Sequence, residues 1–221
     1  MFLVDPSFEL RDCDWLQVLR SIEDAGRLCK KSKSSSDIEE TKNFCRRMLV
    51  SGHESVIEHG VMSVRFIVDR GISHEIVRHR LASFSQESTR YCNYGGGVSF
   101  VIPPWVKVKP GRYDDIDDQK LLASDMEKTS VWWMEAMKYA EDMYCKLLDR
   151  GDWSPQQARS VLPNSLKTEI VVTANIREWR HIFRLRCSKA AHPQMREIMW
   201  PLFKTARYRI PVLFDDLGPF D

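Results

Sequence analysis

The segment RHRLASFSQESTRY, residues 78–91, places Arg78, His79 and Arg80 in a row and, after seven intervening residues, adds Ser88 and Arg90. Arginine makes forked, bidentate contacts with phosphate. Short hydroxyl side chains add hydrogen bonds to such a site without adding charge. The segment therefore predicts a site for a large anion.

The composition is that of a globular protein. The chain has 221 residues, of which 43% are hydrophobic and 29% charged, and this length fits one domain over residues 1–221. The formal net charge of +2 gives no general case for binding nucleic acid. No stretch is long and apolar enough to predict a membrane span, and the first ten residues, MFLVDPSFEL, do not resemble a signal peptide.

The six cysteines are scattered, without a CxxC pair or a zinc-ligand spacing: Cys13, Cys29, Cys45, Cys92, Cys145 and Cys187. This usage is typical of free thiols in a reducing compartment, so we expect a cytoplasmic protein. His53 and His59 lie six residues apart, not the three or four that would place them on one helical face, and no metal site is predicted.

Apolar periodicity predicts a mixture of helices and strands. The predicted strands cover 61–71, 99–106 and 167–176. The predicted helices include 37–51, 73–83, 119–150, 177–187 and 193–209, with a short helix after Ser154 and Pro155. The pattern favours an α+β fold in a single domain.

Two arginines fall within apolar sectors of helical wheels. Arg80 falls between Ile76 and Val77, and Arg186 lies near the centre of the apolar face of the helix predicted over 177–187. An arginine can keep its head in water while its stem lies along the surface. Two such placements favour burial of both guanidinium groups, which then need anionic partners, because an unpaired buried charge is costly.

The arrangement of arginines and serine in residues 78–90 resembles the signature of the flavin-dependent thymidylate synthases. GHESVIEH (52–59), ARSVLPNSLKT (158–168) and TANIREWRHIFRLRC (173–187) are similar to further segments of that family. These segments occur in the family's order and span roughly residues 45 to 200. His181 stands where relatives often have asparagine.

The resemblance implies a curved, mainly antiparallel sheet flanked by helices, and a homotetramer whose sites are shared between subunits. It implies methylation of dUMP to dTMP, with methylenetetrahydrofolate as carbon donor, reduced FAD as hydride donor and NADPH as the reductant of the flavin. No enzyme cysteine is needed in that chemistry. Neither nucleic acid nor membrane is implied as a partner.

The resemblance also implies roles for individual residues. Those expected at FAD are Ser55, Arg78, His79, Arg80, Leu81, Asn175, Ile176, Arg177 and His181. Those expected at dUMP are Glu75, Arg78, Gln86, Glu87, Ser88, Thr89, Arg90, Arg159 and Arg186. Arg186 is the expected catalytic residue, lying against the uracil edge and favouring loss of the N3 proton.

Two alternatives stay open at the level of sequence. A methylase or hydroxymethylase of another pyrimidine nucleotide could use the same flavin, phosphate and folate framework. A nucleic-acid-binding module could use the arginine-rich helices on phosphates, although the near-neutral net charge disfavours it.

Overall fold

The computed structural model describes residues 1–11, 14–116 and 126–220, and contains both strands and helices. The strands are β1 (Phe2–Val4), β2 (Ser7–Arg11), β3 (Val61–Asp69), β4 (Ala82–Gln86), β5 (Ser99–Val101), β6 (Gly111–Arg112) and β7 (Lys167–Asn175). The α-helices are α1 (Trp15–Leu28), α2 (Ile38–Val50), α3 (Arg70–Ile76), α4 (Lys128–Asp149), α5 (Pro155–Ala158), α6 (Ile176–Arg186), α7 (Pro193–Arg209) and α8 (Pro211–Phe214). Short 3-10 helices cover Val56–His59 and Arg159–Val161.

The strands form two sheets. One has the order β5-β1-β6 and the other the order β2-β3-β7-β4. Strand β1 pairs in parallel with β5 and antiparallel with β6. The chain combines helices with antiparallel strand pairing, which confirms the predicted α+β fold. None of the described helices is long and apolar enough to cross a membrane.

The described residues group into two compact units, each built from separate parts of the chain. The first comprises those in Met1–Ser7, Phe66–Ile76 and Ser85–Ile170, and the second those in Phe8–Arg65, Val77–Phe84 and Val171–Asp221. We call them unit 1 and unit 2. That residues 1–221 form one domain stays a prediction.

Each unit has an apolar interior. In unit 1, α4 contributes Met134 and Tyr144 to a cluster that also contains Phe100. In unit 2, the ring of Phe183 lies 5.4 Å from that of Phe203 and 5.6 Å from that of Phe214, both edge to face. These contacts attach α6 to α7 and α8, and so fix the helix that carries several expected site residues.

The sequence patterns located most elements correctly. The sequence offers Ser36 or Asp37 as the cap of α2 and Gly52 as its end; Asp37 is the cap, since its side chain accepts a hydrogen bond from the Glu39 backbone nitrogen, and Gly52 has a positive φ of 70°. Ser154, the expected cap of the short helix, precedes α5, and its backbone nitrogen donates a 2.9 Å hydrogen bond to Gln157 Oε1. Within the helix predicted over 119–150, residues 119–125 lie outside the described residues, and α4 begins at Lys128.

The helix predicted over 73–83 is wrong in its bounds. Helix α3 covers Arg70–Ile76, and the chain then turns and enters β4 at Ala82. The wheel therefore does not apply to Arg80, which is exposed and not buried as predicted. Strands β1, β2, β4 and β6 were not predicted, because each has five residues or fewer.

Trp179 anchors α6 within unit 2. It is fully buried, and its indole nitrogen donates a 2.8 Å hydrogen bond to the backbone carbonyl of Met62 in β3. The centroid of its ring also lies 5.7 Å from that of Phe183, with the two rings tilted by 34°. A buried carbonyl that loses its donor keeps the full cost of desolvation, so this bond matters more than an exposed one.

We expect Trp179→Phe to lower the free energy of unfolding by about 1–3 kcal/mol, because it leaves the Met62 carbonyl without this donor. Chemical denaturation followed by circular dichroism measures the change. Trp132→Phe is the control, since Trp132 is 55% exposed on α4 and should change little. Equal effects of the two substitutions would contradict this role for Trp179.

Candidate active site

Two adjoining cavities in unit 2 collect most of the residues expected at FAD. The larger has a volume of about 480 Å³ and the smaller about 280 Å³. Leu81, Glu178 and His181 line both. The larger is also lined by Glu54, Glu58, Asn175, Arg177 and Arg184, and the smaller by Arg78, His79, Arg80, Leu185 and Arg186.

The turn between α3 and β4 supplies the first group of side chains. Arg78 and Arg80 are exposed, and make no hydrogen bond or ion pair with the residues that the structure describes. Leu81 is 75% exposed although it is apolar. His79 alone in this run points inward, with 6% of its surface exposed. The turn thus offers two cations and an apolar surface next to a buried imidazole.

Helix α6 supplies the second group. Its first backbone amides are capped by Asn175, whose Oδ1 accepts a 2.8 Å hydrogen bond from the Glu178 nitrogen. Arg177 is exposed and pairs with Glu58 at 2.6 Å and with Glu54 at 3.4 Å. One turn further along the helix, His181 is exposed and lines both cavities.

Two of the residues expected at FAD lie elsewhere. Ser55 is exposed and lines a different cavity of unit 2, together with His53. Ile176 is 0% exposed, and its backbone nitrogen donates to the Gly60 carbonyl at 2.9 Å. Ile176 is therefore a core residue of unit 2, and its side chain lines neither of the two cavities.

A helical wheel of residues 177–187 places Arg180 on one polar face with Arg177, His181 and Arg184, and for Arg180 this prediction is wrong. Arg180 is 2% exposed and forms a two-pronged ion pair with Asp216, with a further hydrogen bond to the Leu213 carbonyl. The hydrogen bonds from Arg180 hold the pKa of Asp216 below its usual range. Arg180 is thus a structural residue that fixes the C-terminal segment of unit 2.

Arg186, at the end of α6, is half-buried and points toward His79. Its Nε donates a 2.9 Å hydrogen bond to His79 Nε2. Because a guanidinium nitrogen can only donate, His79 Nε2 must be the unprotonated nitrogen of the ring. In the neutral ring the hydrogen is then on Nδ1, which lies 3.5 Å from Glu178 Oε1.

Burial and neighbouring charges set the ionisation of this group. Burial, and then the charges of Arg186 and His181, lower the pKa of His79 to about 4. Burial raises the pKa of the Glu178 carboxyl, while His181 partly opposes that rise. His79 is consequently neutral near pH 7, as its hydrogen bond with Arg186 requires.

His79, Glu178 and His181 also have potential metal-ligand atoms that all lie within 4.8 Å of one another. The hydrogen bond from Arg186 argues against a metal centre here. It places the ring proton on Nδ1, the nitrogen nearest to Glu178, and sets a positive guanidinium beside the site. A metal ion at Nδ1 would have to displace that proton and bind beside a cation.

The residues expected at dUMP gather mainly in unit 1. Arg159 donates to Thr89 Oγ1 at 3.0 Å, and Ser88 Oγ accepts from the Arg90 backbone nitrogen at 3.3 Å. Arg159 and Arg90 are exposed at this point. This group offers two guanidinium groups and two hydroxyls, which suits a phosphate monoester.

Gln86 and Glu87 are tied into the framework of unit 1. Gln86 donates to the hydroxyls of Ser73 and Thr168, at 2.9 and 3.2 Å. Glu87 accepts from the Tyr94 hydroxyl at 2.7 Å and lies 3.4 Å from Lys167 Nζ. Glu75 is half-buried on α3. The contacts of Gln86 and Glu87 hold the end of β4, which precedes Ser88.

Sequence reasoning missed Glu178 as a site residue. In the sequence it is a single acid in the first turn of a helix, where acids are favoured by the helix dipole. Its burial and its approach to His79 depend on a fold contact across 99 residues of chain, which no local pattern reports. Glu54 and Glu58, in contrast, stand in the GHESVIEH segment that the resemblance already marks.

Comparison with known proteins gives consistent matches. The family described as "Thymidylate synthase complementing protein" matches residues 14–212. A flavin-dependent thymidylate synthase of Geobacter sulfurreducens is 33% identical over 203 residues, covering 88% of this chain and 80% of that protein. A protein of the same name from Mycobacterium avium is 32% identical over 203 residues, covering 88% of this chain and 78% of that protein.

Two solved structures share the fold. The UMP/dUMP methylase PolB of Streptomyces cacaoi, bound with 5-Br dUMP, superposes with a TM-score of 0.72 at 25% identity, covering 97% of this chain and 96% of that one. Thymidylate synthase X of Helicobacter pylori, with FAD and dUMP, gives a TM-score of 0.70 at 22% identity, covering 96% of this chain and 98% of that one.

The low pKa of His79 gives a test of this geometry. Between pH 6.5 and about 4 the unfolded chain binds a proton at this residue and the folded chain does not. The part of the free energy of unfolding that depends on His79 is therefore largest above pH 6.5. It decreases by up to about 3 kcal/mol as the pH falls toward 4. His79→Gln removes the titration, so its free energy of unfolding should fall less over this range. Parallel slopes for the two proteins in denaturation at several pH values would contradict a buried neutral His79.

Proposed function

The chain belongs to the thymidylate synthase complementing protein family, and from that premise we propose that it is an FAD-dependent thymidylate synthase, a methyltransferase that converts dUMP to dTMP. The observation that supports this most directly is the pair of adjoining cavities in unit 2. They bring together seven of the nine residues expected at FAD, among them the exposed Arg78 and Arg80, and Arg186 lines the smaller cavity.

The residues present fit a flavin dinucleotide. Arg78 and Arg80 offer guanidinium groups for a pyrophosphate, and the exposed Leu81 offers an apolar surface for a flat ring. His181 and Asn175 add polar contacts on the same walls. When bound, reduced FAD supplies the hydride that completes the methyl group.

Within this proposal, Arg90, Arg159, Ser88 and Thr89 hold the phosphate of dUMP. Arg186 acts on the pyrimidine: a half-buried cation stabilises an adjacent anion more than a solvated one does, which favours loss of the N3 proton. Methylenetetrahydrofolate as carbon donor and NADPH as reductant complete the proposed reaction. The homotetramer and the cytoplasmic location are further parts of the same proposal.

Three of the five described cysteines agree with a reaction that uses no thiolate. Burial raises the pKa of the Cys45 and Cys187 thiols to about 12, and it also raises that of Cys145. A nucleophilic cysteine requires the opposite shift. Cys13 lies outside the described residues.

The fold match to PolB supports one second candidate, a methylase that also accepts UMP. The two candidates share the flavin and phosphate sites and differ in their tolerance of the ribose 2′-hydroxyl. Parallel assays with dUMP and UMP, with the product identified by mass spectrometry, decide between them. Formation of the methylated nucleotide from dUMP alone supports the thymidylate synthase, and comparable rates support the broader methylase. A nucleic-acid-binding role is disfavoured by the family assignment.

We expect the purified protein to be yellow, or to become so when FAD is added, and Arg80→Gln to weaken FAD affinity about tenfold or more. A hydrogen bond to a charged group contributes roughly 1.5–3 kcal/mol, which sets this scale. Fluorescence titration of the apoprotein measures the affinity. Arg20→Gln is the matched control, because Arg20 is an exposed arginine on α1 that lines neither cavity. A colourless protein that takes up no FAD would overturn the proposed function.

Arg186→Lys keeps the positive charge and loses the planar fork, so we expect normal flavin binding with most of the methylation rate lost. Arg186→Ala should be slower still, with a barrier higher by roughly 2–4 kcal/mol if it behaves as other preorganised electrostatic groups do. Single-turnover formation of dTMP, measured beside the thermal midpoint, separates chemistry from folding. If the variants melt early while their folded fraction reacts at the normal rate, Arg186 is only a structural residue.

A further inference from the structure

Glu178 is a buried carboxylate that the proposed chemistry does not use. Its side chain is 7% exposed, that of His79 is 5% exposed, and the two meet at 3.5 Å between Oε1 and Nδ1. That distance is at the outer limit of a hydrogen bond, so the contact is mainly electrostatic. Removing a carboxylate from water is costly, so the burial of Glu178 has to be explained by an interaction that this carboxylate makes.

The hydrogen bond between Arg186 and His79 explains the position of Glu178. Nε2 of the ring accepts from Arg186 Nε at 2.9 Å, and the ring hydrogen therefore faces Glu178. A negative charge beside Nδ1 favours the tautomer with its hydrogen there, whereas the opposite tautomer would set N–H against N–H at Arg186. Glu178 thus selects the form of the ring that can accept from Arg186.

We propose that Glu178 is a positioning residue, which through His79 fixes the direction in which Arg186 presents its guanidinium group to the pyrimidine. The inference rests on the proposed function for its catalytic consequence, but its hydrogen-bond arrangement does not. Arg186 lines the smaller cavity, as do His79 and Glu178. Holding Nε on a fixed acceptor sets the plane of the group, and donors held in place before reaction stabilise a developing anion best.

Local structure supports the same assignment. Glu178 lies in the first turn of α6 and Arg186 is its last residue, so the two residues that contact His79 belong to one helix. The Asn175 cap holds the Glu178 backbone, and Trp179 attaches the adjacent position to β3. The carboxylate therefore has little freedom to leave His79.

His181 is the other titratable group facing His79. Their ring centroids are 6.1 Å apart in an edge-to-face arrangement. His181 is exposed and makes no hydrogen bond to His79 in the described structure, so it does not select the tautomer as Glu178 does.

The first test reads the tautomer directly. In holoenzyme labelled with nitrogen-15 at histidine, the His79 signals, identified by their loss in His79→Gln, should show a protonated Nδ1 and an unprotonated Nε2 at neutral pH. In Glu178→Leu this preference should weaken or reverse. A wild-type ring protonated at Nε2 would overturn the proposal, whether or not the enzyme makes dTMP.

The second test separates positioning from stability. Glu178→Leu should lower kcat for dTMP formation by about 10- to 100-fold, the scale of a misdirected catalytic group, with the KM for dUMP little changed. Its thermal midpoint should be unchanged or higher, because the substitution removes a desolvated carboxylate. Glu178→Gln, whose amide oxygen can still accept from Nδ1, should recover part of kcat.

The matched control is Glu23→Gln. Glu23 is a fully buried acid of unit 2 that pairs with Arg27 and lines neither cavity. It should lower the thermal midpoint while the folded enzyme keeps its kcat. A Glu178→Leu variant with wild-type kcat contradicts the positioning role. If wild type forms no dTMP but shows the expected tautomer, the hydrogen-bond arrangement stands and the proposed function fails.

Discussion

The hydrogen bond from Arg186 to His79 constrains the rest of the site, because an arginine can donate and cannot accept. This single fact settles which nitrogen of the His79 ring carries the hydrogen and requires the ring to be neutral. Burial beside the Arg186 charge has the same effect, since it lowers the pKa of His79 to about 4. The His79 imidazole, the Arg186 guanidinium and the Glu178 carboxylate therefore form one group, in which the position of the ring hydrogen depends on both charged neighbours.

That arrangement depends on contacts far from the cavities. Helix α6 begins at the Asn175 cap, is attached to β3 through Trp179, and is packed by Phe183 against α7 and α8. The ion pair of the buried Arg180 with Asp216 then fixes the segment after α8. Residues with no contact to a substrate thus determine where Arg186 lies, which is why stability and turnover must be measured together in its variants.

The sequence predicted the elements whose patterns are local. Strands β3 and β7 follow from alternation, and the start of α2 follows from Asp37. It failed where the outcome depends on distant contacts. The wheel placed Arg80 inside and Arg180 outside, and both placements are reversed: α3 ends before Arg80, and Asp216 lies 36 residues beyond Arg180. The motif resemblance located most of the cavity residues, yet it assigned no role to Glu178, whose partner is 99 positions away.

The arginines of the two motif segments differ mainly in their partners, and this difference explains how a chain with a net charge of +2 can hold a strongly cationic site. Arg177 is balanced by Glu58 and Glu54, and Arg180 by Asp216. Arg78 and Arg80 have no such acids among the described residues. Acids thus neutralise the arginines that shape the helix and its neighbours, while positive charge is kept where an anionic ligand would supply the balance. A site of this kind is better satisfied when occupied than when empty, so ligand binding should add to its stability.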